Sequence, residues 1–355
     1  MSRGSASRVH GGRAPEGFID FSAPLNPLAP PPFVLHELVE ALRTVGRYPD
    51  PDYRRLVEAA STIYSTSVHI IPLNGAAEGY SLVVACTRPR RVVVLEPTFG
   101  DRDLDAMCSA LGIEVVHVDP RRRGGGELRY GLEEIEELDL GRSDLVILSD
   151  PCNPLGTCLE PSDLKLLDEV SSRATVLLDE AFKSLTRCVE ARPREGLLVL
   201  RSMTKELGVP GLRIGFLLVE DEKLYTLLNA CRQPWNVNSL ASYVVSRIAE
   251  SYLDEYRAFL EISRSFIDSE RRWLADRLRR LRGVRVFDSE APYILIEHRA
   301  LPHPRLQQRL AGYRVYVRDC SSFYGLGPEY SRISVRLRHE NEVLVKALEG
   351  VLAWV

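Results

Sequence analysis

The 355 residues, 45% hydrophobic and 27% charged, have the balance of an ordinary soluble globular protein and are too many for one simple core, so two domains are expected. A formal charge of -3 gives no reason to expect a nucleic-acid partner, and no apolar run approaches the ~18 residues that a membrane span needs. The seven cysteines are odd in number, contain no CxxC and suggest neither a disulfide frame nor a zinc or other metal site; with no apolar leader after Met1, they predict a reducing, cytoplasmic setting.

Residues 1–17, rich in Gly, Ser and Arg, read as a flexible arm, and from spacing alone His10-Gly11-Gly12 is part of that tail. Residues 18–33 are extended and proline-stiffened. Residues 34–45 predict an amphipathic helix, 48–51 a turn and 53–64 a second helix. Leu73-Asn74-Gly75-Ala76-Ala77-Glu78 then opens an apolar helix to Cys86. Small residues at such a junction leave N–H groups open at the positive end of the helix dipole, although Asn74 reads equally well as a plain cap.

A regular alternation follows. Residues 91–96 and 114–118 are strands around a helix at 102–111, and 121–126 reads as an exposed loop. Residues 144–149, 175–179, 197–200 and 213–219 are further strands, with a helix at 161–173. The pattern predicts an α/β fold: a mostly parallel central sheet with helices on both faces. The last third reads as a smaller α+β unit, with a long helical stretch at 239–282, strands at 284–287, 293–297, 315–319 and 332–336, and a closing helix at 340–354. Arg336 and Arg338 read there as a solvated edge.

In such sheets functional groups gather at the carboxyl ends of the strands. Pro97-Thr98-Phe99, Asp150 to Asn153, Asp179-Glu180 and Ser202 to Lys205 all fall at such ends. Lys205 stands out in a chain with five lysines and forty-one arginines. A lysine amine, unlike a guanidinium, can lose its proton and attack a carbonyl. Ser202, Thr204 and Arg213 beside it offer two hydroxyls and a guanidinium, a set suited to one phosphate. Asp179 ends a buried strand and needs a partner; a protonated pyridine nitrogen would serve, and a helix cap is the competing reading. Asn153 could reach a phenolic oxygen or simply make its turn, and Phe99 could lie on a flat ring or belong to the core. Together these are the requirements of pyridoxal 5'-phosphate (PLP).

Ten motifs carry a resemblance that covers nearly the whole chain. They are HGG at 10–12, DFSAPLNPL at 20–28, YPDPDYRRL at 48–56, NGAAE at 74–78, EPTFGD at 96–101, DPCNPLGT at 150–157, LDEAF at 178–182, SMTKELGVPGLRIGF at 202–216, QPWNVNSLA at 233–241 and VRDCSSFYGLG at 317–327. On these the chain resembles the fold-type-I PLP-dependent transferases of the histidinol-phosphate aminotransferase group, and within it most resembles the L-threonine O-3-phosphate decarboxylases of cobalamin synthesis. The resemblance implies that Lys205 holds the cofactor aldehyde, Asp179 pairs with the ring nitrogen, Asn153 binds the ring hydroxyl and Phe99 stacks on the ring. Ala76, Ala77, Ser202, Thr204 and Arg213 are implied to hold the cofactor phosphate. Tyr48 of the partner subunit would join them, in a homodimer with shared active sites. Arg332, assisted by Asn153, is expected to bind the carboxylate of a phosphorylated amino acid. His10, Gly11, Asn26 and Arg318 would surround the rest of it, so the resemblance overrides the reading of His10 as tail.

The implied division is an arm and part of a small domain at 1–45, a large PLP-binding domain at 46–230 and a small C-terminal domain at 231–355. The implied reaction is decarboxylation of L-threonine O-3-phosphate to (R)-1-amino-2-propanol phosphate. The alternative is an aminotransferase acting on histidinol phosphate with 2-oxoglutarate, and a third reading is a non-catalytic PLP-fold binding protein. Phe182, where the group's aminotransferases usually have tyrosine, favours the decarboxylase. Pro24, Leu25, Leu155, Lys183 and Ser184 depart from the group's pattern.

Overall fold

Asp144 to Ser149 is buried along its whole length, with Val146 and Leu148 packing into one apolar layer and Leu145 and Ile147 into another. A strand buried on both faces belongs in the middle of a helix-covered sheet. The computed structural model describes residues 10–99, 101–123 and 127–353. In chain order they form β1 (Ile19–Asp20), α1 (Pro32–Ala41), α2 (Arg54–Tyr64), β2 (His69–Leu73), α3 (Ala77–Thr87), β3 (Arg91–Leu95), α4 (Asp101–Leu111), β4 (Glu114–Val118), β5 (Arg121–Arg123), β6 (Glu127–Arg129), α5 (Leu132–Glu136), β7 (Asp144–Ser149), α6 (Pro161–Arg173), β8 (Thr175–Asp179), β9 (Leu197–Ser202), α7 (Met203–Glu206) and β10 (Gly215–Val219). The remainder is α8 (Glu222–Cys231), α9 (Ser239–Ser251), α10 (Leu253–Arg279), β11 (Arg285–Val286), β12 (Tyr293–Glu297), α11 (Arg305–Leu310), β13 (Val315–Tyr316), β14 (Arg318–Asp319), β15 (Tyr330–Ser334) and α12 (Arg338–Leu352).

The central sheet has seven strands in the order β2-β10-β9-β8-β7-β3-β4. Strands β4, β3, β7, β8 and β9 are mutually parallel, while β10 runs antiparallel to both β9 and β2. The expectation of a mostly parallel sheet holds, and the reversed strand has a consequence for the site. Gly215, which begins β10, lies level with Ser202 and Leu73, which end β9 and β2. The start of β10 therefore shares an edge with the carboxyl ends of its neighbours.

A second sheet, β11-β12-β15-β14, is antiparallel. Its core joins Ile294, Ile296 and Ile333 to Leu344 and Leu348 of α12 and to Phe21 of the N-terminal segment. That segment is fixed by β1, which pairs in parallel with β13. Each such buried aliphatic or aromatic side chain contributes about 1.5–3 kcal/mol.

The structure corrects several expected elements. Residues 121–126 are not a plain loop: β5 and β6 pair antiparallel, and their turn at 124–126 lies outside the described residues. The helical stretch at 239–282 breaks at Tyr252 into α9 and α10. Strand β2 was not legible because Pro72 interrupts it; proline is tolerated there because β2 is an edge strand. Arg336 and Arg338 are not a bare solvated edge. Arg336 pairs with Glu340 and donates to the Asp20 carbonyl, and Arg338 forks onto Glu270. Cys158 and Cys188 form a disulfide, where the number and spacing of the cysteines suggested no disulfide frame. Thirty residues separate them, but one follows β7 and the other follows β8, and these parallel strands are neighbours. Arm residues 1–9 lie outside the described residues.

Candidate active site

A cavity of about 240 Å³ opens at the carboxyl edge of the central sheet. Lys205, Asp179, Asn153, Phe99, Ala76, Ala77, Ser202, Thr204 and Arg213 all line it, together with His10, Gly11 and Arg332. Residues scattered between His10 and Arg332 meet because strand ends converge there. Arg213 joins them only because β10 is reversed.

Lys205 lies in the single turn of α7 that follows β9. Burial pushes its amine down to about 8, with Arg332 and Arg213 adding to the effect and Asp179 opposing it. Near-neutrality is what a nucleophilic amine needs. Asp179 is buried; its Oδ1 accepts the Ala181 N–H at 2.9 Å and its Oδ2 accepts the Tyr80 hydroxyl at 2.7 Å. Burial raises its carboxyl above the usual range, while Tyr80, Ala181 and Lys205 pull it back. Asn153 rides on the turn after β7, its N–H donating to Ser149 Oγ at 3.2 Å.

At the other end, the Ser202 and Thr204 hydroxyls lie 2.8 Å apart beside Arg213. Gly75 has a φ of +79°, and a Cβ there would come within 2.3 Å of Arg213 Nη2. Only glycine lets that guanidinium lie against the turn before α3. Arg332 is buried between Asn153 Oδ1, which accepts from Nη1, and the Ser22 carbonyl, which accepts from Nη2 at 2.7 Å. Burial and the nearby Arg318 push it down to about 10, and its buried Nε has no hydrogen-bond partner among the described residues.

The N-terminal segment roofs the cavity. A Cβ on Gly11 would lie 2.1 Å from the Ser22 carbonyl oxygen, and Gly12 N–H donates to Ser22 Oγ at 2.9 Å. His10 bonds Asp103 at 2.9 Å and tilts against Phe99, so the His10–Gly12 stretch is held at the cavity and is not a loose tail. Ser22, Ala23, Pro24 and Phe182 are wall residues that the motif reading left without a role. Their place inside DFSAPLNPL and LDEAF was the available signal.

Two expected substrate contacts are placed elsewhere. Asn26 is buried away from the cavity, donating to the Glu206 carbonyl at 2.9 Å and to Ser263 Oγ at 2.8 Å. Its backbone N–H donates to the Lys205 carbonyl at 3.0 Å, so it ties the arm to α7. Pro24 and Ala23 take the wall position instead because the proline-stiffened chain turns inward there. Arg318 is not on the wall either; it pairs in register with Arg332 on the neighbouring strand and donates to Ser322 Oγ at 2.6 Å. Tyr48 is 80% exposed, outside the cavity of its own chain, and packs on Trp235. Lys183 is buried and ion-paired with Asp150, so this departure from the pattern clamps the turn after β7 to the one after β8.

The residues present fit PLP. The cavity offers a poised amine, a buried carboxylate whose hydrogen-bond donors are neutral, and a hydroxyl–guanidinium cup at the start of an 11-residue helix.

Residues 16–350 match the family model of aminotransferases of class I and II, and the chain belongs to that family. It is a PLP-dependent enzyme with the fold-type-I architecture. It is 29% identical to the threonine-phosphate decarboxylase of Salmonella typhimurium, over 97% of this chain and 94% of that one. It is 31% identical to the histidinol-phosphate aminotransferase of Chlorobium luteolum, over 86% and 84% of the two chains. Its structure is similar to the L-threonine-O-3-phosphate decarboxylase from Porphyromonas gingivalis, with a TM-score of 0.77, 26% identity, and coverage of 90% and 95%.

Proposed function

We propose that the chain decarboxylates L-threonine O-3-phosphate, giving CO2 and (R)-1-amino-2-propanol phosphate for cobalamin synthesis. The observation that carries this reading is Phe182 on the cavity wall, where the group's aminotransferases usually have tyrosine, and similarity to the Salmonella decarboxylase over 97% of this chain supports it. Arg332, on β15, lines the same cavity as Arg213, and Arg318 stands opposite it on β14, outside the cavity lining. Arg332 suits a substrate carboxylate, which a phosphorylated amino acid brings and which 2-oxoglutarate would bring in the competing reaction. Similarity to the Chlorobium aminotransferase favours the competing reading, transamination with 2-oxoglutarate.

PLP, when bound, supplies an electron sink for the pair left as a bond at Cα breaks, and the bond lost is the one held perpendicular to the ring. The chain's own residues decide which bond that is. Arg332, held by Asn153 and Ser22, fixes the carboxylate. The Lys205 amine, brought down to about 8, can hold a proton near neutral pH and in its protonated form would deliver that proton to Cα. Asp179 would keep the ring-nitrogen proton in place, and His10, Gly11, Ser22, Ala23 and Pro24 wall the cavity from the N-terminal side.

The enzyme works as a homodimer in this reading, with Tyr48 of the partner subunit completing the phosphate cup. An exposed apolar stripe on and after α1 supports that: Leu35, Val39, Leu42 and Val45 are each at least half exposed, next to Tyr48 in the chain. The large domain at 46–230 holds the cofactor, and the domain at 231–355, with the segment 1–45, brings the arginines.

Incubation of purified protein with phosphothreonine tests the assignment. CO2 release without any keto acid is expected. Activity only with histidinol phosphate plus 2-oxoglutarate would overturn it.

A further inference from the structure

Tyr80 lies outside the cavity wall and outside every motif role given above, yet it touches the residue on which the cofactor chemistry turns. It sits on α3, four residues after Ala76, so it shares a helix face with the phosphate end of the cavity. Its side chain is buried, its ring meets Phe99 edge to face at 6.3 Å, and its hydroxyl donates to Asp179 Oδ2 at 2.7 Å. The other carboxylate oxygen takes the Ala181 N–H at 2.9 Å. Both oxygens of Asp179 are thus tethered, from opposite sides and by neutral donors.

We propose that Tyr80 is a positioning residue for Asp179, fixing the orientation of its carboxylate and keeping it an anion where it meets the cofactor ring nitrogen. The inference rests on the reading of Asp179 as that nitrogen's partner. Two physical arguments carry it. A carboxylate pinned at one oxygen can still swing about its own axis, whereas one pinned at both presents its remaining lone pairs in a single direction. A buried carboxylate without donors would rather be neutral, and a neutral acid cannot hold a proton on a pyridine nitrogen opposite it. Burial raises the Asp179 carboxyl, and the Tyr80 hydroxyl works against that rise. The hydroxyl itself is pushed well above its ordinary range by burial and by Asp179, so it remains a donor throughout the working pH range. Its edge-on contact with Phe99 links the nitrogen partner to the side chain expected to stack on the ring.

The test uses the PLP-loaded enzyme with Tyr80→Phe, which keeps the ring and removes the donor, beside Asp179→Asn. The readouts are the dissociation constant for PLP as a function of pH and the ¹⁵N chemical shift of ring-labelled cofactor. For Tyr80→Phe the expected result is cofactor binding weaker by about tenfold or more at neutral pH, the loss expected for a hydrogen bond to a charged group. The acid limb of binding should move to higher pH, because Asp179 protonates more readily, and the ring nitrogen should lose protonation. Replacing Tyr80 by 3-fluorotyrosine, a stronger donor of nearly the same shape, should move the limb to lower pH; it also serves if the phenylalanine variant fails to fold. If Asp179→Asn leaves both readouts unchanged, the reading of Asp179 fails and this inference with it. If Asp179→Asn changes them but the Tyr80 variants only lower the melting temperature, Tyr80 is structural filling and the proposal is overturned.

Discussion

Removing the Cys158–Cys188 disulfide by the double substitution Cys158→Ser, Cys188→Ser should destabilise the fold by an amount that can be worked from its position. The cysteines are 30 residues apart, so the cross-link closes a loop of about that length in the unfolded chain. The chain-entropy relation gives about 3.7 kcal/mol at 25 °C for such a loop. An unfolding entropy of about 2.1 cal/mol/K per residue, carried over the whole chain, converts this to a fall in melting temperature of about 5 °C. Thermal melting followed by circular dichroism, with and without dithiothreitol, is the assay. Reductant should lower the melting temperature of the wild type and leave that of the double variant unchanged. The bond also ties the turn carrying Asn153 to the loop beyond Asp179. Reduced wild type and the double variant should therefore both bind PLP less tightly. The reasoning fails if peptide mapping under non-reducing conditions finds both thiols free, or if the bond is present and reductant moves neither quantity.

The Lys205→Ala variant should lose the absorbance near ~420 nm expected of protein-bound PLP and fall in activity by about 10²–10⁴-fold, read by spectrum and CO2 release. Covalent uptake of PLP by cofactor-free enzyme should quicken with pH around a midpoint near 8, seen by stopped-flow absorbance; at pH 7.5 about a quarter of the amine is neutral, against about 0.1% for an ordinary lysine. The same shift has a sign for stability: between about 8 and the ordinary lysine range the unfolded chain holds more protons, so this group makes the cofactor-free fold more stable as pH rises through that window, measurable by denaturant titration. Arg332→Gln should weaken substrate binding by about 10–100-fold while leaving the spectrum of bound PLP in place, since its loss removes a charged hydrogen-bond partner from the substrate end alone.

Much of the site was legible because chemistry in this fold is written at strand ends, and strands buried on both faces are conspicuous in sequence. Phe99, Asn153, Asp179 and Lys205 each follow such a run, and the structure brings all four to one cavity. What escaped the sequence depends on neighbours that only the sheet order creates. The disulfide joins segments after two adjacent parallel strands, and nothing in a spacing of 30 announces it. Asn26 lies in a motif that resemblance assigns to the substrate, but here its amide satisfies α7 and α10. The direction of β10, which delivers Arg213, cannot be read from its apolar residues, since a buried strand looks alike in either sense. Lys183 looks misplaced in sequence and becomes intelligible only with Asp150 beside it.

The cavity is assembled from two sources: its floor is the rim of the central sheet, while its roof is a ribbon from His10 to Pro24 lashed to the smaller sheet through Phe21 and Arg332. On the proposed roles, electronic control and ligand selection would then fall in separable stretches of polypeptide. Exchanging the ribbon together with the segment from Arg318 to Arg332 would be the economical way to retarget this scaffold, leaving the floor untouched. A lineage that diversified in this manner would show its variation concentrated in those two cassettes.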